Sequence, residues 1–249
     1  MIIDNPGAQH IPALRRIWSQ AFGDSEEFLD CFFETGFSYE RCRCVLQGNE
    51  PVAAVYLFEC RWMEKRIAYL YALAVEQQHQ KQGLSRLLLT DTQAMLQRIG
   101  YAGAIMEPAS ESLRGYYESL GYRSFGGRRT LQVLAAENPI PFSRLGVLGY
   151  EQSRRQLLPD NGVLQEGAFT ALLATQADFY GGDGFVAAVS KEQPRILEFL
   201  GEEKKIPGLL SALQWPKAEV RLPGGESTAV YMDFSDEKAL PAYFGLPMD

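Results

Sequence analysis

The chain has 249 residues, 46% of them hydrophobic and 22% charged, with a formal net charge of −7 from 24 basic and 31 acidic side chains. That composition belongs to a globular protein with a sizeable core. It argues against nucleic acid as a partner, since neither half forms a basic patch. No stretch approaches the roughly 20 apolar residues of a membrane span. The opening residues lack the basic and apolar regions of a signal peptide, so no membrane partner and a cytoplasmic location are expected. The four cysteines Cys31, Cys42, Cys44 and Cys60 contain no CxxC pair, and only His10 and His79 add imidazoles. Buried free thiols are expected, and no metal.

Met1 to Asp4 reads as a short strand, turned by Asn5-Pro6-Gly7. From Gln9 to Phe22, Ile11, Leu14, Ile17, Trp18 and Phe22 recur at helical spacing, with Gly23 as the stop. Asp24 or Ser25 can cap a second helix over Glu26–Glu34, with Phe28, Leu29, Phe32 and Phe33 inward. Arg41 to Leu46 is a strand. Gln47-Gly48-Asn49-Glu50 is a hairpin turn, and Pro51 to Arg61 is the next strand. Ile67 to Val75 is a third strand, leading through a polar loop with Gly83 into a helix over Leu84–Ile99. A glycine at such a junction suits an anion, because the first amides of a helix carry the positive end of the dipole.

Ala102 to Met106 follows a helical crossover and is expected to run parallel to the third strand. Ser110 caps a helix over Glu111–Leu120, and Tyr122 to Leu134 forms a strand with a break at Gly126-Gly127. Glu137 to Pro141 reads as a boundary. Beyond it, Val163 to Tyr180 is helical in pattern, Phe185–Val189 and Arg195–Leu200 are strands, and Lys204–Leu213 is a short helix. Glu219–Leu222 and Thr228–Phe234 form strands around a Pro223-Gly224-Gly225 turn, and the last seven residues form a short strand.

The stretch Gln80-Lys81-Gln82-Gly83-Leu84-Ser85 resembles the R/Q-x-x-G-x-G/A motif of the GCN5-related N-acetyltransferase (GNAT) superfamily. Tyr117, four positions before Gly121-Tyr122, matches a second signature of that family. The order of elements over about the first 135 residues fits as well. The resemblance implies an α/β (α+β) GNAT fold, a mixed central sheet with a splayed parallel strand pair. It implies a catalytic domain over residues 1–136 and a smaller, degenerate GNAT-like α/β module over 137–249, as in a bacterial two-module subgroup. Three positions depart from the pattern. Gln80 replaces the commoner Arg, Ser85 replaces the second Gly or Ala, and Ser110 stands where many members have Asn.

The resemblance also implies acetyl-CoA as co-substrate. Gln80, Lys81, Gln82, Gly83, Leu84, Ser85 and Ser110 would hold it, with amides of the loop facing the pyrophosphate. Leu73, Ala74 and Val75 would bind the pantetheine arm as a strand would. An N–H near Ala74 or Val75 would face the thioester oxygen, a contact typically worth about 3 kcal/mol. A plain reading of the same residues is a sharp strand-to-helix turn and a buried core strand. Tyr117 is the candidate general acid; by pattern alone it is a core tyrosine beside Tyr116. Glu107 is the leading candidate base, against a solvated loop carboxylate. Tyr69 and Tyr71 could hold a relay water or simply pack. Asp249, by likeness to enhanced-intracellular-survival acetyltransferases, could serve as base or substrate anchor, against a frayed tail.

The activity expected is therefore an N-acyltransferase. It moves an acetyl group from acetyl-CoA to a primary amine of a small molecule or peptide by direct attack in a ternary complex. The competing expectation is a CoA-binding regulatory or scaffold protein without turnover. Trp18, Phe32 and Phe33 could line an acceptor pocket, though their spacing equally suits core. Neither the acceptor nor the oligomeric state can be read from these residues.

Overall fold

In the computed structural model, residues 1–235 and 239–246 are described. They fall into two compact units. The first comprises Met1–Cys60, Lys65–Met106 and Tyr231–Lys238, and the second comprises Arg61–Glu64, Glu107–Val230 and Ala239–Asp249. These units group residues by contact, whereas the 1–136 and 137–249 modules are divisions in chain order.

The first unit is built on strands β1 (Ile2–Asp4), β2 (Cys42–Gln47), β3 (Glu50–Trp62), β4 (Lys65–Val75) and β5 (Gly103–Met106), side by side in that order. β1 with β2 and β2 with β3 are antiparallel. The β2–β3 link is a two-residue loop whose first residue, Gly48, has φ +64, as such tight hairpins require. β4 and β5 are parallel, in the register Ala68↔Ala104 and Tyr69↔Ile105. The crossover between them is helix α3 (Leu84–Arg98), the connection a parallel pair needs.

Helix α1 (Ile11–Phe22) buries Leu14, Ile17 and Trp18 and ends at Gly23, whose φ of +73 gives a left-handed stop. Ser25 is the residue that caps α2 (Glu26–Cys31), its Oγ accepting from Phe28 N–H at 3.2 Å. The chain then makes a π-helical turn over Phe32–Gly36, closed by Phe37 N–H to Phe32 C=O at 2.8 Å. The expected single helix to Glu34 is thus an α-helix with a π turn appended. The indole of Trp18 centres the core, 4.5 Å from Phe32, 4.9 Å from Tyr56 and 5.5 Å from Tyr71 between ring centroids. Its Nε1 donates to Asp24 Oδ2 at 2.7 Å.

The second unit holds α4 (Glu111–Ser119), β6 (Arg123–Leu134), β7 (Ser143–Leu145), α5 (Val147–Leu157), β8 (Val163–Gln165), α6 (Ala168–Gln176), β9 (Ala177–Gly182), β10 (Phe185–Ser190), β11 (Arg195–Gly201) and α7 (Ile206–Ala212). β12 (Lys217–Asp233) gives most of its length to this unit and Tyr231–Asp233 to the first. Within the second unit, β6 lies on β12, followed by β11, β10, β9 and β7. β11 and β12 run parallel, and β9, β10 and β11 are antiparallel neighbours. Phe185, Val189, Phe199, Leu209 and Val220 meet in its core.

Three expectations are corrected in this half. Val163–Tyr180 is a strand, a helix and a strand: the helical spacing of Phe169, Leu172 and Leu173 holds only over α6, while Ala177 and Phe179 are inward residues of β9. Glu219–Leu222 and Thr228–Phe234 are one strand, β12, which runs through Pro223-Gly224-Gly225. Gly224 and Gly225 take φ +100 and +91, and Arg129 Nε donates to Pro223 C=O at 3.2 Å, so the glycines kink a paired strand where a hairpin was expected. Of the expected last strand, Tyr243 makes an isolated parallel bridge with Gly162, residues 244–246 are not strand, and 247–249 lie outside the described residues. β7 and α5 lie between the boundary and the Pro159 loop, where no element was expected.

Candidate active site

β5 ends at Met106, whereas β4 continues to Val75. From Leu70 onward β4 therefore runs past its β5 register, and within that free run Ala72 takes φ +49. A left-handed residue inside a strand is the backbone signature of a bulge, which bends the strand and ends regular pairing. Ala74 is buried while Leu73 and Val75 are half-buried. The expected parallel pair is present, and β4 continues beyond its partner at this point of the sheet.

A 3₁₀ turn over Gln77–His79 then leads to the loop. Lys81 and Gly83 both lie in the left-handed region, at φ +61 and +77. Gly83 is the N-cap of α3, no side chain caps the helix, and the first ladder bond is Leu87 N–H to Gly83 C=O at 3.0 Å. A Cβ built on Gly83 would meet nothing within 4 Å. The glycine thus serves the backbone turn and leaves open space over the helix start; no internal packing demands it. Gln80, Lys81 and Gln82 are exposed. The Gln80 amide turns back to Val75 C=O at 3.3 Å and Gln82 reaches Gln78 C=O at 3.4 Å, so Lys81 is the cation of the stretch. These features suit a diphosphate: a row of amides at a helix start, close approach unhindered by a Cβ, and one ammonium.

The remaining candidates belong to the second unit. Tyr117 is 6% exposed on α4, with its ring 5.4 Å from Tyr116 and 5.9 Å from Tyr122. Burial, and then the neighbouring Tyr116, raise its pKa to about 12. Ser110 caps α4, its Oγ accepting from Leu113 N–H at 3.2 Å. Glu107 is ion-paired with Arg128 of β6, and both side chains are largely buried. Arg128 carried no signal in the sequence; its partner is found only once β6 is laid down. Asp249 lies outside the described residues.

Of the three aromatics considered for an acceptor pocket, Trp18 and Phe32 are core. Phe33 lines an open hollow of about 570 Å³ with Ile11, Phe37, Ser38, Tyr39 and Glu40. Among the described residues, no helix is long and apolar enough to cross a membrane, and no group of three or more His, Cys, Asp or Glu is arranged to hold a metal ion.

Residues 43–132 match the family described as acetyltransferase (GNAT) domain. That match covers about a third of the chain, and the fold just described is similar to that of the GCN5-related N-acetyltransferases. Among similar solved structures, a GCN5-related N-acetyltransferase from Kribbella flavida superposes with a TM-score of 0.69 at 15% identity, covering 92% of this chain and 70% of that one. Eis1 from Mycobacterium abscessus gives 0.68 at 10%, covering 94% and 74%. A putative acetyltransferase from Pyrococcus horikoshii gives 0.62 at 14%, covering 98% and 93%. At these identities the likeness is one of fold. A search of the curated proteins gives no significant match.

Proposed function

We propose that the chain is an acetyl-CoA-dependent N-acetyltransferase acting on a primary amine of a small molecule or peptide, by direct attack in a ternary complex. The observation that carries this reading is the run from Ala72 to Gly83. A strand runs past its parallel neighbour, takes a left-handed residue at Ala72, and feeds a helix start with open space above its glycine. Acetyl-CoA supplies the acetyl group as a thioester. Amides of Gln82, Gly83, Leu84 and Ser85, with Lys81, would hold its pyrophosphate. Backbone groups of Leu73, Ala74 and Val75 would hold the pantetheine arm and polarise the carbonyl. Gln80, whose amide faces Val75, would shape the loop, and Ser110, which caps α4, is a further candidate contact for the co-substrate.

In this reading Tyr117 donates its Oη proton to the leaving sulfur; burial keeps the phenol protonated at neutral pH while making it a weaker acid than a free tyrosine, so the donation relies on its position. Glu107 is the candidate to take the proton of the amine, with Arg128 fixing its orientation. Asp249 stays a second candidate for base or anchor. In chain order we assign residues 1–136 to the catalytic module and 137–249 to a degenerate GNAT-like module, in a cytoplasmic enzyme without a metal.

The second reading is a CoA-binding protein without turnover, favoured by Gln80 in place of the commoner Arg and Ser110 in place of the commoner Asn. Thiol release from acetyl-CoA with a panel of amines decides between them. Turnover that falls about 10²-fold in Tyr117→Phe supports the enzyme with its acid. Binding of acetyl-CoA without turnover on any amine supports the second reading, and absence of binding overturns both.

A further inference from the structure

Glu76 sits between β4 and the loop, and nothing in the sequence distinguishes it from a solvated charge. In the structure it is 6% exposed. Its backbone already closes the local turn, with Glu76 N–H to Val52 C=O at 2.9 Å and His79 N–H to Glu76 C=O at 2.8 Å. The side chain is therefore not needed to form that turn, yet both its oxygens are used. Oε1 accepts from Arg16 Nε and Nη2, each at 3.1 Å. Oε2 accepts from Gln78 Nε2 at 3.0 Å and lies 3.0 Å from His79 Nδ1, which donates in the tautomer protonated there. Gln78 C=O in turn accepts from Gln82, the residue before Gly83. A buried carboxylate is stable only when so surrounded by donors, and here every side-chain donor comes from α1 or from the loop itself.

We infer that Glu76 is a positioning residue that ties the cofactor loop to Arg16 of α1 and presets the Gln77–Gly83 backbone for its ligand. The inference rests on the reading of that loop as the acetyl-CoA site. The link runs Arg16, Glu76, Gln78, Gln82, so removing Arg16 or Glu76 loosens the loop without removing any group that touches the cofactor. The cost falls on binding, because a disordered loop must be ordered by the ligand.

The test uses Glu76→Gln, Arg16→Met and the double variant of the full chain. Hydrogen exchange of amides 77–86 is followed without cofactor, and acetyl-CoA Kd and kcat at saturating acetyl-CoA are measured. In Glu76→Gln, exchange at 77–86 should quicken and Kd rise by roughly tenfold, with kcat changed less than about twofold. Arg16→Met should move both in the same direction, and the double variant should be no worse than Glu76→Gln, since the two residues act through one link. Glu76→Asp, which keeps the charge, should recover part of the loss. Unchanged exchange in Glu76→Gln, or additive effects in the double variant, would overturn the inference. If Glu76→Gln does not fold, Arg16→Met decides alone, because its side chain is 46% exposed. If the native chain does not bind acetyl-CoA, the cofactor reading fails, while loop exchange still tells whether Glu76 orders the loop.

Discussion

A Cβ added to Gly103, the first residue of β5, would lie 2.3 Å from the Oη of Tyr231 and 2.4 and 2.5 Å from two of its ring carbons. Tyr231 is fully buried and has no room to retreat. Gly103→Ala should therefore cost about 1–3 kcal/mol through overpacking, read as a lower denaturant midpoint at unchanged m-value. Tyr231→Phe should not rescue it, because the ring carbons still block the space. Rescue requires a smaller side chain at 231.

Arg154 and Glu198 form a fully buried two-point ion pair in the second unit, with Nε to Oε2 at 2.7 Å and Nη2 to Oε1 at 3.0 Å. Tyr150 and Tyr243 donate to the same carboxylate at 2.9 and 3.0 Å, and Gln165 joins Arg154 to Leu246 C=O. Burial opposes the guanidinium's charge, and Glu198 more than offsets it, so Arg154 stays protonated. Arg154→Met should cost about 3–5 kcal/mol, since it leaves a carboxylate buried without its counter-charge. The same variant should expose the Ala242–Leu246 segment to proteolysis. Replacing both partners with apolar residues should cost less than replacing one.

Gly83→Ala separates folding from ligand binding. With φ +77 and nothing within 4 Å of the new Cβ, the folding cost is conformational alone, about 1 kcal/mol. Acetyl-CoA affinity should fall much further, by roughly tenfold or more, because the methyl occupies the space over the helix start. Thermal melting and calorimetric titration give the two numbers independently. Equal, small effects on both would remove Gly83 from the cofactor site.

Tyr117 gives a pH prediction. Burial, then Tyr116, raises its pKa to about 12, so the fold favours the neutral phenol. Its contribution to stability is intact below the ordinary tyrosine value near 10 and is lost as pH rises toward about 12. Ultraviolet difference titration of the native chain against Tyr117→Phe should show the missing phenol ionising late. The rate profile should show no alkaline limb from this residue at pH 9. Glu76 behaves in the opposite sense: its bond from Gln78, followed by those from Arg16 and His79, lowers its pKa against the effect of burial. Its contribution is present above the ordinary carboxylate range and lost as pH falls below it.

Much of the first half of the chain was legible because its signals are local. Gly23, Ser25 and Ser110 mark helix ends by chemistry that acts within a turn, and each does so here. The parallel β4–β5 pair followed from a helical crossover. What could not be read depends on distant partners. Gly224 and Gly225 look like a turn until Arg129 is seen to hold Pro223 in a paired strand. Val163–Tyr180 looks like one helix because Phe169, Leu172 and Leu173 dominate the pattern, while Val163 and Phe179 are buried as strand residues. The α5 helix was hidden for another reason: its buried residues include Arg154, a charge no hydrophobic periodicity counts. Glu76 and Arg128 were missed likewise, since their partners, Arg16 and Glu107, lie far off in sequence.

Ala72 has a further consequence. Side chains on a strand alternate faces, and a bulge shifts that alternation by one place. β4 is buried without interruption from Ile67 to Tyr71, and past Ala72 only Ala74 is fully covered. The strand therefore changes character at a single alanine, from a run covered on both faces to one fully covered only at Ala74. Losing one residue before Ala72 would move every side chain of the covered run to the opposite face and force both packed layers to readjust. Losing Ala72 itself would leave that run in place and turn Leu73 to Val75 over, so the unit could keep its fold while presenting the other side of the stretch that leads to the Gly83 loop.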